Sequence, residues 1–356
     1  MKQPRLTVDS SAIERNVEAW RRIVAPRMLW PVVKSDAYRM GAATVAQLCV
    51  RAGAPRVAIV DVDEASALRA AGVDVPLVHV ATTPSDVLAD AVHLNVIPTV
   101  EDVGAARALS AIAQWRGGRV RAHVAVDTGT GWSGVPAWRT PAFASAVSDL
   151  DGIDWEGAWT HVASRESLHD QSVAFAGALA SLRLAGLAVP IAHIGSTGPV
   201  VWGCGGDAVR IGIGLYGASL GDASIATQLK TAVEVHATVV AYKRFDVATP
   251  LGYGGHDVAQ PGDAVATLRL GYADGMPRKR STSGVVRLRG AACRIAGAIG
   301  MNFTMVFVPP EIRDVLNVGD DALVMGEADG VRLDDLAAAA DVTPHEVIVG
   351  FGAALR

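Results

Sequence analysis

Hydrophobic and polar positions follow two different rhythms along this chain. From about residue 10 to 235, short β-branched runs alternate with longer stretches rich in Ala, Leu and Arg. The segment SAIERNVEAWRRI places apolar residues at helical spacing, and Asp9 or Ser10 before it is a suitable N-cap. Strands are predicted at 28–33, 57–60, 77–80, 95–100, 120–126, 156–160, 191–194 and 207–211. Between them lie helical patterns such as ATVAQLCVRAG, EASALRAAG, VGAARALSAIAQW and FAGALASLRLAG, the last three ending near a Gly or a polar turn. Eight β/α units of this length predict a (β/α)8 TIM barrel.

After about residue 235 the rhythm shortens to period two. TAVEVHATVVAYKRF, DAVATLRL, GVVRLRGAACRIAGAIG and TMVFVP alternate apolar and polar residues between Gly, Pro and Asp turns, which predicts an all-β domain. The expected organisation is a barrel over 10–235 and a β-strand domain over 236–356 that also takes an N-terminal strand, 1–9. Polar residues gather just after the predicted barrel strands: Lys34, Asp61, Thr82, Asp127, His161, Ser196 and Arg210. In a (β/α)8 barrel these positions converge on the face that carries active sites. A doubly wound sheet also sets strand ends near a ligand, but no GxGxxG signature supports that alternative here.

Bulk composition narrows the classes further. A net charge of -4 over 356 residues provides no basic field for nucleic acid and no polybasic membrane patch. Half of the residues are hydrophobic and the mean hydropathy is +0.29, yet the apolar runs are far shorter than the roughly 20 residues of a membrane span. The opening MKQPRLTVDSS has no apolar core of an export signal, and Cys49, Cys204 and Cys293 lack metal or redox spacing. The expectation is a cytoplasmic protein with no metal, whose cysteines are small buried hydrophobes.

In MLWPVVKSDAYRMG an apolar run stops at Lys34. Such a lysine is either solvated where a strand reaches water, or desolvated at a barrel mouth, where it loses its proton and attacks a carbonyl. Other motifs decide between these readings. VVKSDAYRMGA, DTGTGWSG, THVA, VRIGIGLYG, LGYGG, GYADGMPR, GMNFTM and VGDDALVMGE occur in the order in which the alanine racemase family carries its own versions, so the chain resembles that family nearly end to end.

The resemblance implies a pyridoxal 5'-phosphate (PLP) enzyme, an amino-acid substrate and a homodimer with shared active sites. It implies that Lys34 forms the Schiff base with PLP and exchanges the α-proton on one face. Tyr253, from the partner subunit, would serve the opposite face. Arg210 would face the pyridine nitrogen and keep it unprotonated, with His161 linking it to the catalytic tyrosine; read from the residues alone, Arg210 could instead pair with an acid such as Asp207, and His161 could be a satisfied core histidine. Tyr38, Ser196, Gly212 and Ile213 match phosphate-binding positions. Tyr272 matches a tyrosine at the substrate entrance, and Met301 matches the residue whose backbone N–H meets the substrate carboxylate.

Departures from the family pattern cluster at the carboxylate. The arginine of its D-T-G-M-x-R motif is Trp132, the lysine that supports that arginine is Ala125, and the aspartate after Met301 is Asn302. Gly-His in the lysine motif is Arg39-Met40, and the tail HEVIVGFGAALR lacks the family ending, so it yields no tyrosine for the phosphate. The leading expectation is a PLP-dependent racemase or epimerase working by two-base proton exchange on a substrate other than alanine. A PLP-dependent lyase, decarboxylase or aldolase-type, on the same scaffold is the alternative. A non-catalytic PLP carrier is a third class, against which the β-domain with LGYGG argues.

Overall fold

The computed structural model describes residues 2–356. It divides into two compact units, one of residues 17–37 and 41–215, the other of the segment up to Asn16 with 38–40 and 216–356.

The first unit is a parallel barrel. Its strands in chain order are Met28–Pro31, Val57–Ile59, Leu77–His79, Val96–Ile97 continued by Thr99–Val100, Val120–Asp127, Ile153–Trp159, Ile191–His193 continued by Gly195–Ser196, and Ala208–Ile211. Each pairs in parallel with its neighbour, Ala208–Ile211 returns to Met28–Pro31, and a Val32–Ala58 bridge joins the first strand to the second. The fourth strand breaks at Pro98, which has no N–H to give the ladder. Strands such as Val57–Ile59 and Leu77–His79 are buried throughout, which is why they read as apolar runs, broken in the second only by His79.

The chain does something unusual straight after the first strand. Ser35, Asp36, Ala37, Tyr38 and Arg39 all have positive φ, between 52° and 68°, and form a left-handed helical turn without a glycine. Each such residue costs about 1–2 kcal/mol, so the turn needs external support. Ala37 N–H donates to Val33 O at 2.7 Å and Gly41 N–H to Asp36 O at 2.9 Å. The Asp36 carboxylate accepts from Ala42 N–H at 2.7 Å, and Glu64 accepts from the N–H groups of Ser35 and Val60. This scaffolding lets Lys34 stand at the end of its strand with the chain turning sharply away.

The second unit is built on an antiparallel sheet ordered Arg5–Val8, Val233–Arg244, Ala264–Leu268, Thr304–Phe307, Ala291–Ala296, Val285–Leu288 and Asp321–Met325. Asp321–Met325 also pairs with Val233–Arg244, so the sheet closes on itself and leaves Arg5–Val8 outside the ring. The tail departs from period two: Leu333–Ala340 and Pro344–Leu355 are helices. An alanine-rich run forms the first, and a capping box starts the second, where Thr343 Oγ1 accepts from Glu346 N–H at 3.3 Å and the Glu346 carboxylate accepts from Thr343 N–H at 2.8 Å. Among the described residues, no helix is long and apolar enough to cross a membrane.

Candidate active site

Within the barrel unit, Lys34, Asp127, His161, Ser196 and Arg210 stand at or just beyond the C-terminal ends of their strands. Lys34 is half-buried, and its Nζ makes no hydrogen bond or ion pair to another described residue. Arg210 is 3% exposed. Its Nη1 donates to His193 Nδ1 at 2.9 Å and to His193 O, its Nη2 donates to Thr160 O at 2.8 Å, and its guanidinium lies 5.3 Å from the Trp159 ring. Burial lowers its pKa to about 10, which leaves it a cation at neutral pH. Asp207 is not its partner; that carboxylate accepts from Ala192 N–H at 2.8 Å.

His161 lies nearby, and Trp132 stacks on its ring at 5.8 Å and 17°. Burial lowers the His161 pKa, and the positive charges of Arg210 and Lys34 lower it further, to about 4. The imidazole is therefore neutral at pH 7. It shares no hydrogen bond with Arg210 among the described residues, so what links the two is charge. Trp132 is 82% exposed, an indole standing in water on one side and on His161 on the other. Ala125 is buried in the fifth strand.

At the seventh and eighth strand ends, Gly212 N–H donates to Thr197 Oγ1 at 3.3 Å, and both residues are buried. Sequence reading singled out Ser196 and passed over its neighbour; the adjacent hydroxyls of GST were the available signal. Gly212 and Ile213 lead into the 3-10 turn Ile213–Tyr216.

The β-unit gathers the other candidates. Tyr253 is 75% exposed and sits in a turn where Gly252, Gly254 and Gly255 have φ of 64°, 80° and 58°. Those values explain the glycines of LGYGG, since a side chain at any of the three would strain the turn. The Tyr253 ring comes within 4.0 Å of where a Cβ on Gly300 would stand. Tyr272 N–H donates to Gly300 O and Ala273 N–H to Met301 O, each at 3.0 Å, so the tyrosine turn and the Met301 loop are tied together. Arg269 Nη1 grips the same loop, through Asn302 O at 3.2 Å and Asp274 at 2.9 Å. Met301 N–H meets no acceptor among the described residues. Tyr38 is buried with its ring against Tyr216 at 5.8 Å and His345 at 5.7 Å, and burial raises its phenol pKa above the ordinary value. The tail thus contributes an imidazole beside Tyr38, a residue the sequence reading did not mark.

These donor sets fit PLP. Among the described residues the lysine amine has no counter-ion, the buried guanidinium keeps its Nε–H and one Nη2–H uncommitted, and the Thr197 hydroxyl meets the Gly212 N–H at the adjoining strand end.

Comparison with known proteins agrees. Models of the alanine racemase N-terminal and C-terminal domains match residues 8–220 and 232–356. The alanine racemase of Desulforamulus reducens is 33% identical over 366 residues, covering 99% of this chain and 98% of its own. That of Desulfovibrio desulfuricans is 32% identical over 354 residues, covering 97% and 95%. The crystal structure of alanine racemase from D-cycloserine-producing Streptomyces lavendulae superposes with a TM-score of 0.88 at 27% identity, over 99% of this chain and 95% of that one. With both domain models matched and full-length relatives above 30% identity, this chain belongs to the alanine racemase family and is a PLP-dependent isomerase.

Proposed function

We propose that this protein is a two-base amino-acid racemase or epimerase whose preferred substrate is not alanine. The observation that carries the reading is the Trp132 indole stacked on His161. PLP, when bound, draws electron density from the substrate α-carbon so that a weak base can take its proton. Lys34 Nζ takes or returns that proton on one face, and the partner subunit's Tyr253 does so at Oη on the other. Arg210, a cation at neutral pH, would donate a hydrogen bond to the ring nitrogen and so keep that nitrogen unprotonated. That weakens the pull on the α-carbon and restricts the chemistry to proton exchange. His161 stays neutral beside Arg210 and accepts the tyrosine's hydrogen bond.

Tyr38, Ser196 and Thr197 offer hydroxyls, and Gly212 and Ile213 backbone N–H groups, to the phosphate. Met301 N–H would receive the substrate carboxylate, with Tyr272 and Asn302 lining its approach, and these residues come from the same subunit as the Tyr253 to which their loop is tied. Three buried free cysteines fit a cytoplasmic protein, and an exposed Tyr253 fits a homodimer in which each chain completes the other's site.

Trp132 sets the specificity. An arginine at this position would hold the carboxylate by charge-assisted hydrogen bonds, worth roughly 1.5–3 kcal/mol. The indole offers an apolar face and a single donor instead. With Ala125 and Asn302 also uncharged, the pocket suits a larger side chain better than a methyl group. The test is kcat/KM for both alanine enantiomers beside serine and the branched and basic amino acids. In D₂O, α-deuteration and product chirality are followed together. Expected is a poor value for alanine and a better one for a larger residue. Alanine leading the panel above about 10⁴ M⁻¹s⁻¹ would refute the retuning, and release of CO₂ or an aldehyde would identify a lyase.

A further inference from the structure

The barrel core holds a file of polar side chains to which none of the roles above gives a function. Behind Arg210, His193 Nε2 lies 2.8 Å from His123 Nδ1, and His123 Nε2 lies 3.2 Å from Glu156 Oε2. Arg56 closes the file with Nη1 and Nη2 on the two Glu156 oxygens, at 2.5 and 3.0 Å. His123 and His193 are both 0% exposed. Trp30 packs over the pair, 5.9 Å from the His123 ring and 4.7 Å from the His193 ring. Burial lowers the pKa of each imidazole, so both are neutral. Burial alone would raise the Glu156 pKa, but hydrogen bonds from His123 and Arg56 outweigh it and bring the value to about 2.

Donor and acceptor chemistry admits one arrangement of protons in this file. A guanidinium N–H only donates, so His193 Nδ1 accepts from Arg210 and the His193 proton sits on Nε2. That proton needs His123 Nδ1 as its acceptor, which puts the His123 proton on Nε2, facing a carboxylate that only accepts. The opposite order would set two N–H groups against each other at Arg210 and His193. Gly157 keeps the far end close: a Cβ there would stand 3.0 Å from His123 Nε2 and 2.7 Å from Ile191 O.

From this geometry we infer that Glu156 is a positioning residue for Arg210. Through His123 and His193 it fixes which nitrogen of each imidazole carries the proton. It thereby holds Arg210 Nη1 in place and leaves Nε–H and one Nη2–H turned toward a ligand. The inference rests on the reading that Arg210 faces the PLP ring nitrogen. A satisfied buried network without a functional role would show the same distances, so the test needs a readout beyond stability.

Glu156→Gln is the informative change. Arg56 reaches both Glu156 oxygens, its Nη1 on the same Oε2 that faces His123, while Oε1 takes Arg56 Nη2 at 3.0 Å and lies 3.6 Å from Arg121 Nη1. The two guanidinium groups at Oε1 draw the amide oxygen there, so the NH₂ group stands at Oε2 against His123 Nε2. Both imidazoles must then reverse, and His193 Nδ1–H confronts Arg210 Nη1–H. The experiment is long-range ¹H–¹⁵N NMR on the holoenzyme with ¹⁵N-labelled histidine at pH 7, with the absorption spectrum of bound PLP and steady-state kinetics.

In the wild type, both histidines are expected neutral with the proton on Nε2. In E156Q, their signals should move to the Nδ1–H form and the PLP absorption maximum should shift. The expected kcat loss is about tenfold to hundredfold, typical when an outer hydrogen-bond partner is removed, with KM little changed.

A wild-type histidine of the pair that is charged, or protonated on Nδ1, overturns the proposal; this measurement stands even if E156Q does not fold. Unmoved tautomers in E156Q overturn it too, as do reversed tautomers with unchanged absorption and kcat. The Arg210 reading fails separately: Arg210→Lys with an unaltered PLP spectrum would sink that reading while leaving the wild-type tautomers as they are.

Discussion

Lys34→Ala is expected to lower turnover by more than about 10⁴, because it removes both the group that binds PLP covalently and one of the two proton-transfer groups. Borohydride reduction of the holoenzyme followed by peptide mapping should place a pyridoxyl group on the peptide containing Lys34, and the K34A protein should carry none. The chain has few competitors, the other lysines being Lys2, Lys230, Lys243 and Lys279. Lys230 lies 3.8 Å from Glu327, Lys279 lies 3.7 Å from Asp341, and Lys243 sits over the Phe245 ring at 4.8 Å. A surface ion pair favours the protonated amine, which is no nucleophile. Lys34 has no such partner among the described residues. A pyridoxyl adduct on any other lysine refutes the assignment.

Tyr253→Phe is the second large effect. It deletes one hydroxyl from an exposed turn and leaves the fold alone. With a single base remaining, α-hydrogen exchange with D₂O continues from the Lys34 face. Racemisation is expected to fall by about 10²–10⁴, the usual contribution of a general acid–base group. Polarimetry and mass spectrometry on the same reaction separate the two rates. Unchanged racemisation in Y253F would transfer the role to another residue. Tyr272 is the first alternative, since its turn is tied to the Met301 loop beside Tyr253.

The barrel was legible in the sequence because its strands are buried on both faces. Val57–Ile59 appears as an unbroken apolar run, and Leu77–His79 as one interrupted only by the His79 imidazole. Lys34 was legible for a related reason, since a charged residue directly after such a run is easily seen, and Arg210 stood out as the lone cation inside the strand Ala208–Ile211. The histidine file was not. His123 and His193 meet across strands although they are 70 residues apart, and a single polar residue inside an apolar run leaves no periodic trace. Thr197 was hidden beside Ser196, since the sequence does not say which of two adjacent hydroxyls turns toward Gly212 N–H. The closing helices were missed because the period-two rhythm was carried to the end of the chain, past the alanine run and the Thr343–Glu346 capping box.

The turn after Lys34 also has a stereochemical consequence. Its φ values of 52° to 68° are unfavourable for L-residues and lie in the preferred helical well of their mirror images. Residues 35–39 are in effect a fragment of enantiomeric helix written in the ordinary alphabet. Ser35 is exposed, with φ 55°. A chain assembled by peptide ligation with D-serine there would recover the roughly 1–2 kcal/mol that the L-residue gives up at that position. At this one turn, the building block of the opposite hand would fit the fold better than the one the ribosome supplies.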